Sequence, residues 1–389
     1  MSSEQQPLAG VVVVALEQAI SAPFASRQLA DLGATVIKVE RMEGDFARHY
    51  DSVVNGNSAF FVWANRGKQS VTVNLAREQD LELLHDLIAG ADVFLHNMSE
   101  GAAERRGLTA AALHQKYPHL IACEISGYGP GGPRAGDKAY DLAIQAEAGV
   151  FSVNGSSEMS KTGFSVADIS SGMYALTSIL AAIVRKQRTG EGAAISVSML
   201  DSLAEWVSAP LYAAVYGPGQ APRTGRRHHA IAPYGTFSLA DGRTILIAVQ
   251  SDGEWRSMAK HLLDDARLGE DPRFATNPDR LRNVDELEAV ISAVTTKIPA
   301  EECLQRLADG RTAYAWVNDL QGVWKHEQLR ARGRFHEVET EHGPVELLDP
   351  PFMISGLETP LGAIPALGEH QAQTVAAVRE KGRERRTDQ

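Results

Sequence analysis

The sequence predicts an α/β fold built on a parallel sheet, followed by a smaller α+β segment. Its first third alternates short apolar runs with amphipathic helical stretches, a rhythm typical of the strand–helix–strand units that form parallel sheets. The composition is that of a globular protein, with 44% hydrophobic and 22% charged residues. A chain of 389 residues is long enough for a large core and two domains.

The individual elements each have a local signal. Residues 11–16 are a β-branched run without alternation, as expected for a strand buried on both faces. The helix after it has Pro23 near its start and Gly33 just past its end. No GxGxxG follows the first strand, so a nicotinamide-dinucleotide site is not supported. Further strands are predicted at residues 34–40, 70–75, 92–97 and 119–129, and a helix at 78–91.

A Gly-, Pro- and Arg-rich stretch at residues 216–235 is the clearest domain boundary. Beyond it, residues 236–249 predict a hairpin around Asp241 and Gly242. Helices are predicted at 254–263 and 284–295. The middle of the chain is therefore predicted to form a small α+β domain.

Charge and cysteine content limit the partners. The formal net charge of −11 argues against non-specific binding to nucleic acid or to an anionic membrane. We find no apolar stretch of about 20 residues and no signal-peptide pattern, so a cytoplasmic protein is expected. Cys123 and Cys303 are the only cysteines, which favours reduced thiols. Neither has a Cys/His ligand pattern beside it, so no metal site is predicted.

Asp168 is the strongest candidate for chemistry. It lies where a strand-like apolar run gives way to a predicted helix at residues 168–188. Its carboxylate could cap this helix by accepting hydrogen bonds from the amides of Ser170 and Ser171. It could instead act as a nucleophile at a cleft, because carboxylates form covalent acyl intermediates in some enzymes. Local sequence alone favours the cap.

A series of motifs in fixed order changes that preference. Through them the chain resembles the family III CoA-transferases (the CaiB/BaiF type, which includes formyl-CoA transferase), a family that also contains the α-methylacyl-CoA racemases. The resemblance runs from Leu8 to about Ile354. The motifs are APFASRQLADLGATVIKVER (22–41), GDFAR (44–48), NRGKQSVTVNL (65–75), ADVFLHN (91–97), GYGPGGPRAGDKAYD (127–141), VADISSGMYA (166–175), IAPYGTF (231–237) and DPRFATNPDRLRN (271–283).

This resemblance implies a discontinuous Rossmann-like large domain, residues 1–215 with 330–389, and a small α+β domain at 216–329. It also implies an interlocked homodimer. The substrates would be a CoA thioester and a small carboxylic acid, without a tightly bound cofactor.

The resemblance further implies that Asp168 is the nucleophile. Its carboxylate would attack the donor thioester and form a mixed anhydride, and the released CoA thiolate would convert this into an aspartyl-CoA thioester. The acceptor acid would then reverse the sequence. We expect the helix N-terminus to lower the pKa of Asp168 and keep it ionised.

By position, the resemblance places a set of residues along the CoA. Arg and Lys suit its phosphates, although an isolated Arg is commonly just a surface charge. The small residues after the first strand would lie by the thioester, or simply pack tightly. Met98 replaces the family's usual aromatic, and a thioether can pack on the adenine ring instead. The set is Ile20, Ser21, Ala22, Arg41, Val73, Asn97, Met98, Arg105 and Lys138.

Tyr140 favours a transferase over a racemase. The racemase branch has a His before the Asp of a GHD motif, whereas this chain has KAYD, with Tyr140 in that place. A phenol with a pKa of about 10 is poorly suited to proton abstraction near neutral pH. We predict that Tyr140 orients the acyl group or Asp168, with a buried structural tyrosine as the alternative.

The N-terminal motifs resemble the branch that handles small dicarboxylates such as itaconate, mesaconate and citramalate, with succinyl-CoA as donor. A distal carboxylate needs a cation, although each candidate could equally be a surface residue. Formyl-CoA:oxalate, carnitine and aryl-succinate transfer, racemisation of a 2-methylacyl-CoA and a catalytically silent CoA-binding subunit stay open as alternatives. The candidate cations are Arg48, His49, Arg226, His228 and His229, with Arg227 adjacent.

Overall fold

The computed structural model describes residues 6–357, 359, 361–371, 374–378 and 380. Its chain divides into two compact units. Unit 1 comprises residues 1–150, 161–209 and 329–389, and unit 2 comprises residues 151–160 and 210–328. The boundaries predicted from the sequence, at 215/216 and 329/330, lie within a few residues of two of these and do not separate residues 151–160.

The described residues form strands and helices in alternation through the first part of the chain. The strands are β1 (Val12–Leu16), β2 (Thr35–Glu40), β3 (Lys68–Thr72), β4 (Val93–His96), β5 (Ile121–Ser126), β6 (Ala193–Ser198), β7 (Tyr234–Ser238), β8 (Thr244–Ala248), β9 (Ala313–Trp316), β10 (Phe335–Val338) and β11 (Val345–Leu348). The helices are α1 (Ser21–Asp31), α2 (Ala59–Asn65), α3 (Glu78–Gly90), α4 (Glu100–Glu104), α5 (Ala110–Lys116), α6 (Asp141–Glu147), α7 (Val150–Val153), α8 (Val166–Thr189), α9 (Met199–Trp206), α10 (Ser208–Tyr216), α11 (Asp252–His261), α12 (Asn277–Arg282), α13 (Val284–Thr295), α14 (Ala300–Asp309), α15 (Leu320–Trp324) and α16 (Glu327–Ala331). Short 3₁₀ helices lie at Phe46–His49 and Ala266–Gly269.

Unit 1 is organised around a six-stranded sheet with the order β3-β2-β1-β4-β5-β6. Every neighbouring pair in it is parallel. This is the doubly wound order of Rossmann folds, in which the strand order reverses between β1 and β4. The predicted α/β class with a Rossmann-like parallel sheet is therefore confirmed.

The sheet is covered by helices on both faces, which explains why its strands have no polar alternation. Val13 and Ala15 belong to a core cluster with α1 and α8. Val14, between them, belongs to a second cluster with α3 and α5. Successive side chains of a strand point to opposite faces, so an all-apolar strand requires two covered faces.

The third strand begins earlier than the sequence predicted. The prediction placed it at residues 70–75, whereas β3 is Lys68–Thr72. Lys68, the first residue of β3, is charged, and a charged residue is not expected inside a buried strand. Its ammonium is bonded to Glu17 and Asn65, which local sequence does not reveal.

Helix α8 also differs from the prediction. It begins at Val166, and the residues before it form no strand. By length and composition it could span a membrane, so the expectation that no such stretch exists was wrong. Half of its most apolar 18-residue window is buried within unit 1, where it packs against α1, β5 and β6. That packing accounts for its apolar character.

Unit 2 contains an antiparallel sheet with the order β7-β8-β9. The predicted hairpin is present, with Gly242 at φ +82° in the turn between β7 and β8. Helix α13 has the predicted bounds of residues 284–295. Its buried face, with those of α11 and α14, packs on the sheet.

Candidate active site

A group of charged side chains is buried at the carboxyl ends of β1 and β2. The Lys38 ammonium lies 2.7 Å from Asp45 and 3.5 Å from Glu17, and all three side chains are buried. Glu17 also accepts a 2.7 Å bond from Lys68. A bidentate pair between Arg48 and Glu40 continues the group. Each buried charge thus has a partner of opposite sign, which burial requires.

Ion pairing favours the charged forms of Lys38 and Glu40, whereas burial dominates at Lys68. Burial by itself lowers the pKa of Lys38, but Asp45, Glu17 and Glu40 outweigh it and raise that pKa above its ordinary value. Burial favours neutral Glu40, yet Arg48 and Lys38 lower the pKa of Glu40 to about 2. Burial lowers the pKa of Lys68 to about 7, with Glu17 opposing this and Lys38 adding to it.

Asp45 connects this charge group to the turn between β1 and α1. Its Oδ2 accepts from Lys38, while its Oδ1 accepts from the amides of Ala19 at 2.9 Å and Ala47 at 3.0 Å. Ala19 has φ +59°, a left-handed conformation that costs energy for a residue with a Cβ. The buried Asp45 therefore maintains a strained turn directly before Ile20 and Ser21.

A cleft of about 460 Å³ opens above these charges. It lies at the carboxyl ends of β1, β2, β3 and β4, around the point where the strand order reverses. Open α/β sheets bind their ligands at that place. The lining residues include the predicted CoA contacts Arg41, Val73, Asn97 and Met98, together with Arg106.

Asn97 connects the two turns that border the cleft. Its Oδ1 accepts from the Gln18 amide at 3.0 Å, and its Nδ2 donates to the Gln18 carbonyl at 2.8 Å and to Ser21 Oγ at 3.1 Å. Ile20 and Ala22 are buried beside Ser21 at the start of α1. These small residues thus combine tight packing with a position next to the cleft.

The basic residues of the predicted CoA set are distributed unevenly. Arg41 is exposed, and its guanidinium lies 3.8 Å from the Phe46 ring centroid. Arg105 and Lys138 are exposed and do not belong to the described lining of the cleft, whereas Arg106 does. The family resemblance placed Arg105 along the CoA by position, whereas it is the next residue, Arg106, that lines the cleft.

Asp168 does not cap α8. It is the third residue of the helix, and the N-cap is Ser165. The amides of Ala167 and Asp168 instead donate to Oδ1 of Asp141, at 2.8 and 3.4 Å. The capping alternative considered for Asp168 is therefore excluded, and Asp141 caps the helix from another part of the chain.

Asp141 is itself held in place, a feature that the sequence prediction missed. Its Oδ2 accepts a 2.7 Å bond from Nε2 of Gln145, one helical turn further along α6. The Gln145 oxygen in turn accepts from Thr162, before α8. The only sequence signal was the four-residue spacing of Asp141 and Gln145, which places them on one helix face.

The electrostatics of Asp168 also differ from the prediction. Burial, followed by the charge of Asp141, raises the pKa of Asp168 to about 7. The expectation that the helix N-terminus would lower this pKa was wrong, because the cost of burial and a like-charged neighbour together exceed the effect of the helix. The half-buried carboxyl group is ionised only near and above neutral pH.

Tyr50 lies near this carboxyl group, and Tyr140 lies near Tyr50. Burial raises the pKa of Tyr50, and the charges of Asp45, Asp168 and Tyr140 add to the effect. Tyr140 is 73% exposed, so the alternative of a buried structural tyrosine was wrong. In the part of the chain that the structure describes, no hydrogen bond joins Tyr140 to Asp168.

The predicted carboxylate-binding cations differ in their surroundings. The guanidinium of Arg48 donates to Glu40 and to the Pro365 carbonyl, so its N–H groups are already engaged. His49 is exposed, with Nε2 3.5 Å from the Glu43 carbonyl. The remaining candidates, Arg226, Arg227, His228 and His229, lie in unit 2. The rings of His228 and His229 are stacked, with their centroids 4.8 Å apart. Among the described residues, no cluster of His, Cys, Asp and Glu is arranged to hold a metal ion.

Comparison with known proteins identifies the family. Residues 8–371 match the family model described as CoA-transferase family III. The chain is 33% identical to a succinate–glutarate CoA-transferase of Agrobacterium fabrum, over 97% of this chain and 96% of that protein. It is 30% identical to a succinyl-CoA:mesaconate CoA-transferase of Haloarcula marismortui, over 93% of both chains. A solved CAIB/BAIF family protein from Brucella suis matches with a TM-score of 0.86 at 32% identity, covering 96% of this chain and 99% of that one.

The chain therefore belongs to the family III CoA-transferases. The enzyme class predicted from the motifs is confirmed, and its substrates are CoA thioesters and carboxylic acids.

Replacing Lys38 by Met should strongly destabilise the protein. The change leaves Asp45 and Glu17 buried near each other without their shared cation. Breaking a buried ion pair in this way costs about 3–5 kcal/mol of unfolding free energy. Urea denaturation followed by circular dichroism measures it. Arg267→Met, which breaks the exposed pair with Asp265, is the control and should have no measurable effect. Equal effects of the two changes would contradict the assigned role of Lys38.

Asp168 should make stability depend on pH with a defined sign. Its native pKa of about 7 lies above the ordinary value of 3.8, so the native state holds the extra proton between these values. Stability at this site is therefore complete below about pH 4 and is lost as the pH rises to about 7. Asp168→Asn should gain stability relative to wild type over that window and show no further relative gain above it.

Urea denaturation at a series of pH values measures this difference. Asp141→Asn keeps an oxygen for the Ala167 amide but removes the negative charge, so the pKa of Asp168 should fall. The pH range over which stability is lost should then become narrower. A wild type that gains stability relative to Asp168→Asn with rising pH would refute the assigned shift.

Proposed function

We propose that this enzyme transfers CoA from a small dicarboxylyl-CoA, such as succinyl-CoA, to a small dicarboxylic acid, with Asp168 as the nucleophile. The names of the relatives from Agrobacterium fabrum and Haloarcula marismortui support dicarboxylates as the substrate class. Itaconate, mesaconate and citramalate, together with the glutarate of the first relative, are the acceptors to test first.

The observation that carries the proposal is a chain of contacts from the cleft to the start of α8. Asn97 lines the cleft and donates to Ser21 Oγ. Gly172 packs so closely on Ser21 that a Cβ there would lie 2.7 Å from the Ser21 carbonyl oxygen. Asp168 lies one helical turn before Gly172. A thioester at the Ser21 end of the cleft would thus be close to the carboxyl group of Asp168, which does not cap the helix and is available for chemistry.

The chemistry follows from an ionised Asp168. A carboxylate oxygen attacks the donor thioester carbon, the C–S bond breaks with CoA leaving as a thiolate, and Asp168 and the donor acyl group are left joined as a mixed anhydride. The thiolate attacks the Asp168 carbonyl carbon, so the donor acid leaves and an aspartyl-CoA thioester forms. The acceptor carboxylate attacks this thioester, and the thiolate then attacks the acceptor acyl carbon, which restores Asp168. Dividing the transfer into such steps is nucleophilic catalysis.

The surroundings of Asp168 suit these steps. Asp141 accepts from the amides of Ala167 and Asp168 and so fixes the first turn of α8. The backbone that carries the Asp168 carboxyl group is therefore held in place. A carboxylate with a pKa raised to about 7 is a stronger nucleophile than an ordinary one once it is ionised. Activity should accordingly rise with pH through about 7. Tyr140, exposed beside Asp141, is proposed to orient the acyl group.

Other features of the enzyme remain proposals from the family resemblance and from composition. They are an interlocked homodimer, a cytoplasmic location, no membrane or nucleic-acid partner and no tightly bound cofactor. The net charge of −11 supports the absence of a nucleic-acid partner. Arg226, His228 and His229 are proposed as candidates for the distal carboxylate.

The deciding experiment is mass spectrometry of the acyl-CoA products formed from succinyl-CoA and a panel of free acids. The panel contains glutarate, mesaconate, itaconate, citramalate, oxalate and carnitine. We expect new acyl-CoA with at least one dicarboxylate. Asp168→Ala should reduce turnover by at least about a thousandfold, as expected for loss of a nucleophile. Asp309→Ala, an exposed aspartate on α14, is the matched control and should retain full activity.

Two further measurements separate the alternatives. Intact-protein mass spectrometry with donor alone should show a CoA adduct on wild type that is absent from Asp168→Ala. Incubation with a 2-methylacyl-CoA in deuterated water should give no α-proton exchange. Clear exchange, or product formation by Asp168→Ala at the wild-type rate, would refute the proposal.

A further inference from the structure

His96 is a buried polar residue that the proposed chemistry does not use. It is the last residue of β4, and its side chain is 2% exposed. In the parallel register it lies beside Glu124 of β5. Directly after it come Asn97 and Met98, which line the cleft. A histidine with no access to solvent at this place needs a structural or functional reason.

The imidazole makes one well-defined hydrogen bond. Its Nδ1 accepts from the Met98 amide at 3.3 Å. An acceptor Nδ1 carries no proton, so the ring is the neutral tautomer protonated on Nε2. Nε2 lies 3.7 Å from Glu124 Oε2, which is too long for a hydrogen bond. That oxygen already accepts from the Ala110 amide at 2.9 Å.

The neutral form of the ring is well protected. Burial lowers the pKa of His96 to about 4, opposed only in part by the Leu108 backbone. The charged groups around the small cavity beside the ring are Glu100, Glu104 and Glu124. The Nδ1 acceptor is therefore present throughout the physiological pH range.

This hydrogen bond completes the support of the turn between β4 and α4. On one side, Asn97 is bonded to Gln18 and Ser21. On the other, the Met98 amide is bonded to His96. The turn leads into α4 and then to Arg106, which also lines the cleft. A displaced Met98 amide would reorient α4 and Arg106, which follow it along the same wall of the cleft.

We infer that His96 is a positioning residue for the CoA thioester: its unprotonated Nδ1 fixes the Met98 amide and thereby the wall of the cleft formed by Asn97, Met98 and Arg106. The inference rests on the proposed function, because it takes the cleft to be the CoA site. His96 does not touch the ligand. It acts through the turn, so its loss should weaken CoA binding and leave the chemical steps at Asp168 nearly unchanged.

The chain allows a sharp test of the acceptor. In His96→Asn, a side-chain oxygen can accept from the amide two residues on, as Asx turns do, so the bond is restored without the ring. His96→Gln carries the same amide one methylene further out and cannot close that turn. His96→Leu removes the acceptor. His119→Leu is the control, since it removes a half-buried histidine just before β5, at the amino ends of the strands and away from the cleft at their carboxyl ends.

Calorimetric titration with CoA and steady-state kinetics with succinyl-CoA measure the effect. We expect His96→Leu and His96→Gln to raise the Kd for CoA and the KM by about fivefold to tenfold, the scale of one hydrogen bond, with kcat within about twofold of wild type. His96→Asn and His119→Leu should remain within about twofold of wild type in all three values.

Each outcome is decisive. An unchanged Kd in His96→Leu, or an equal loss in His96→Asn and His96→Gln, overturns the inference. If His96→Leu does not fold, the comparison of Asn with Gln still decides it. Wild type that binds no CoA overturns both this inference and the proposed use of the cleft. The expected pattern of Kd values without transfer to any acid would support His96 and count against the proposed acceptors alone.

Discussion

The buried ion pair between Lys38 and Asp45 is the interaction on which the rest of the site depends. Lys38 lies in the middle of an apolar sheet, where an unpaired ammonium would be prohibitively costly. Its partner uses its other oxygen to hold the strained Ala19 turn. The Ala19 turn therefore cannot change conformation independently, because losing its bond to Asp45 would also disturb the carboxylate that pairs with buried Lys38. Because Asp45 is bonded to both Lys38 and the Ala19 amide, the buried ion pair also fixes the backbone at the start of α1.

Asp141 performs two functions with one carboxylate. By accepting from the Ala167 and Asp168 amides it fixes the first turn of α8, and by its charge it raises the pKa of Asp168. A neutral residue in its place would cap the helix without raising that pKa. The arrangement resembles other paired carboxylates, in which one group keeps the other from ionising too readily. Gln145 restricts the Asp141 carboxylate by donating to its other oxygen.

The sheet topology explains why residues far apart in sequence form one cleft. At the reversal of strand order, β1 and β4 are neighbours although they are about eighty residues apart. The turns that leave their carboxyl ends diverge to opposite faces and leave space between them. Asn97 crosses this space to Gln18 and Ser21. His96 anchors the second turn from below, so both borders of the cleft are tied to strand ends rather than to flexible loops.

The sequence by itself determined the fold class, many of its elements and the family. Apolar runs without alternation predicted β1 and the covered sheet, helical periodicity predicted α13, and the ordered motifs identified the transferase and its candidate nucleophile. These signals are local, so they can be detected along the chain. The direction of the Asp168 pKa shift and the start of β3 were predicted wrongly, and the local signal for a cap at Asp168 was misleading. Each depended on a partner distant in sequence: Asp141 for α8 and Asp168, and Glu17 for Lys68. Only the tertiary structure decides such pairings, because a charge or an amide is stabilised by what lies beside it in space.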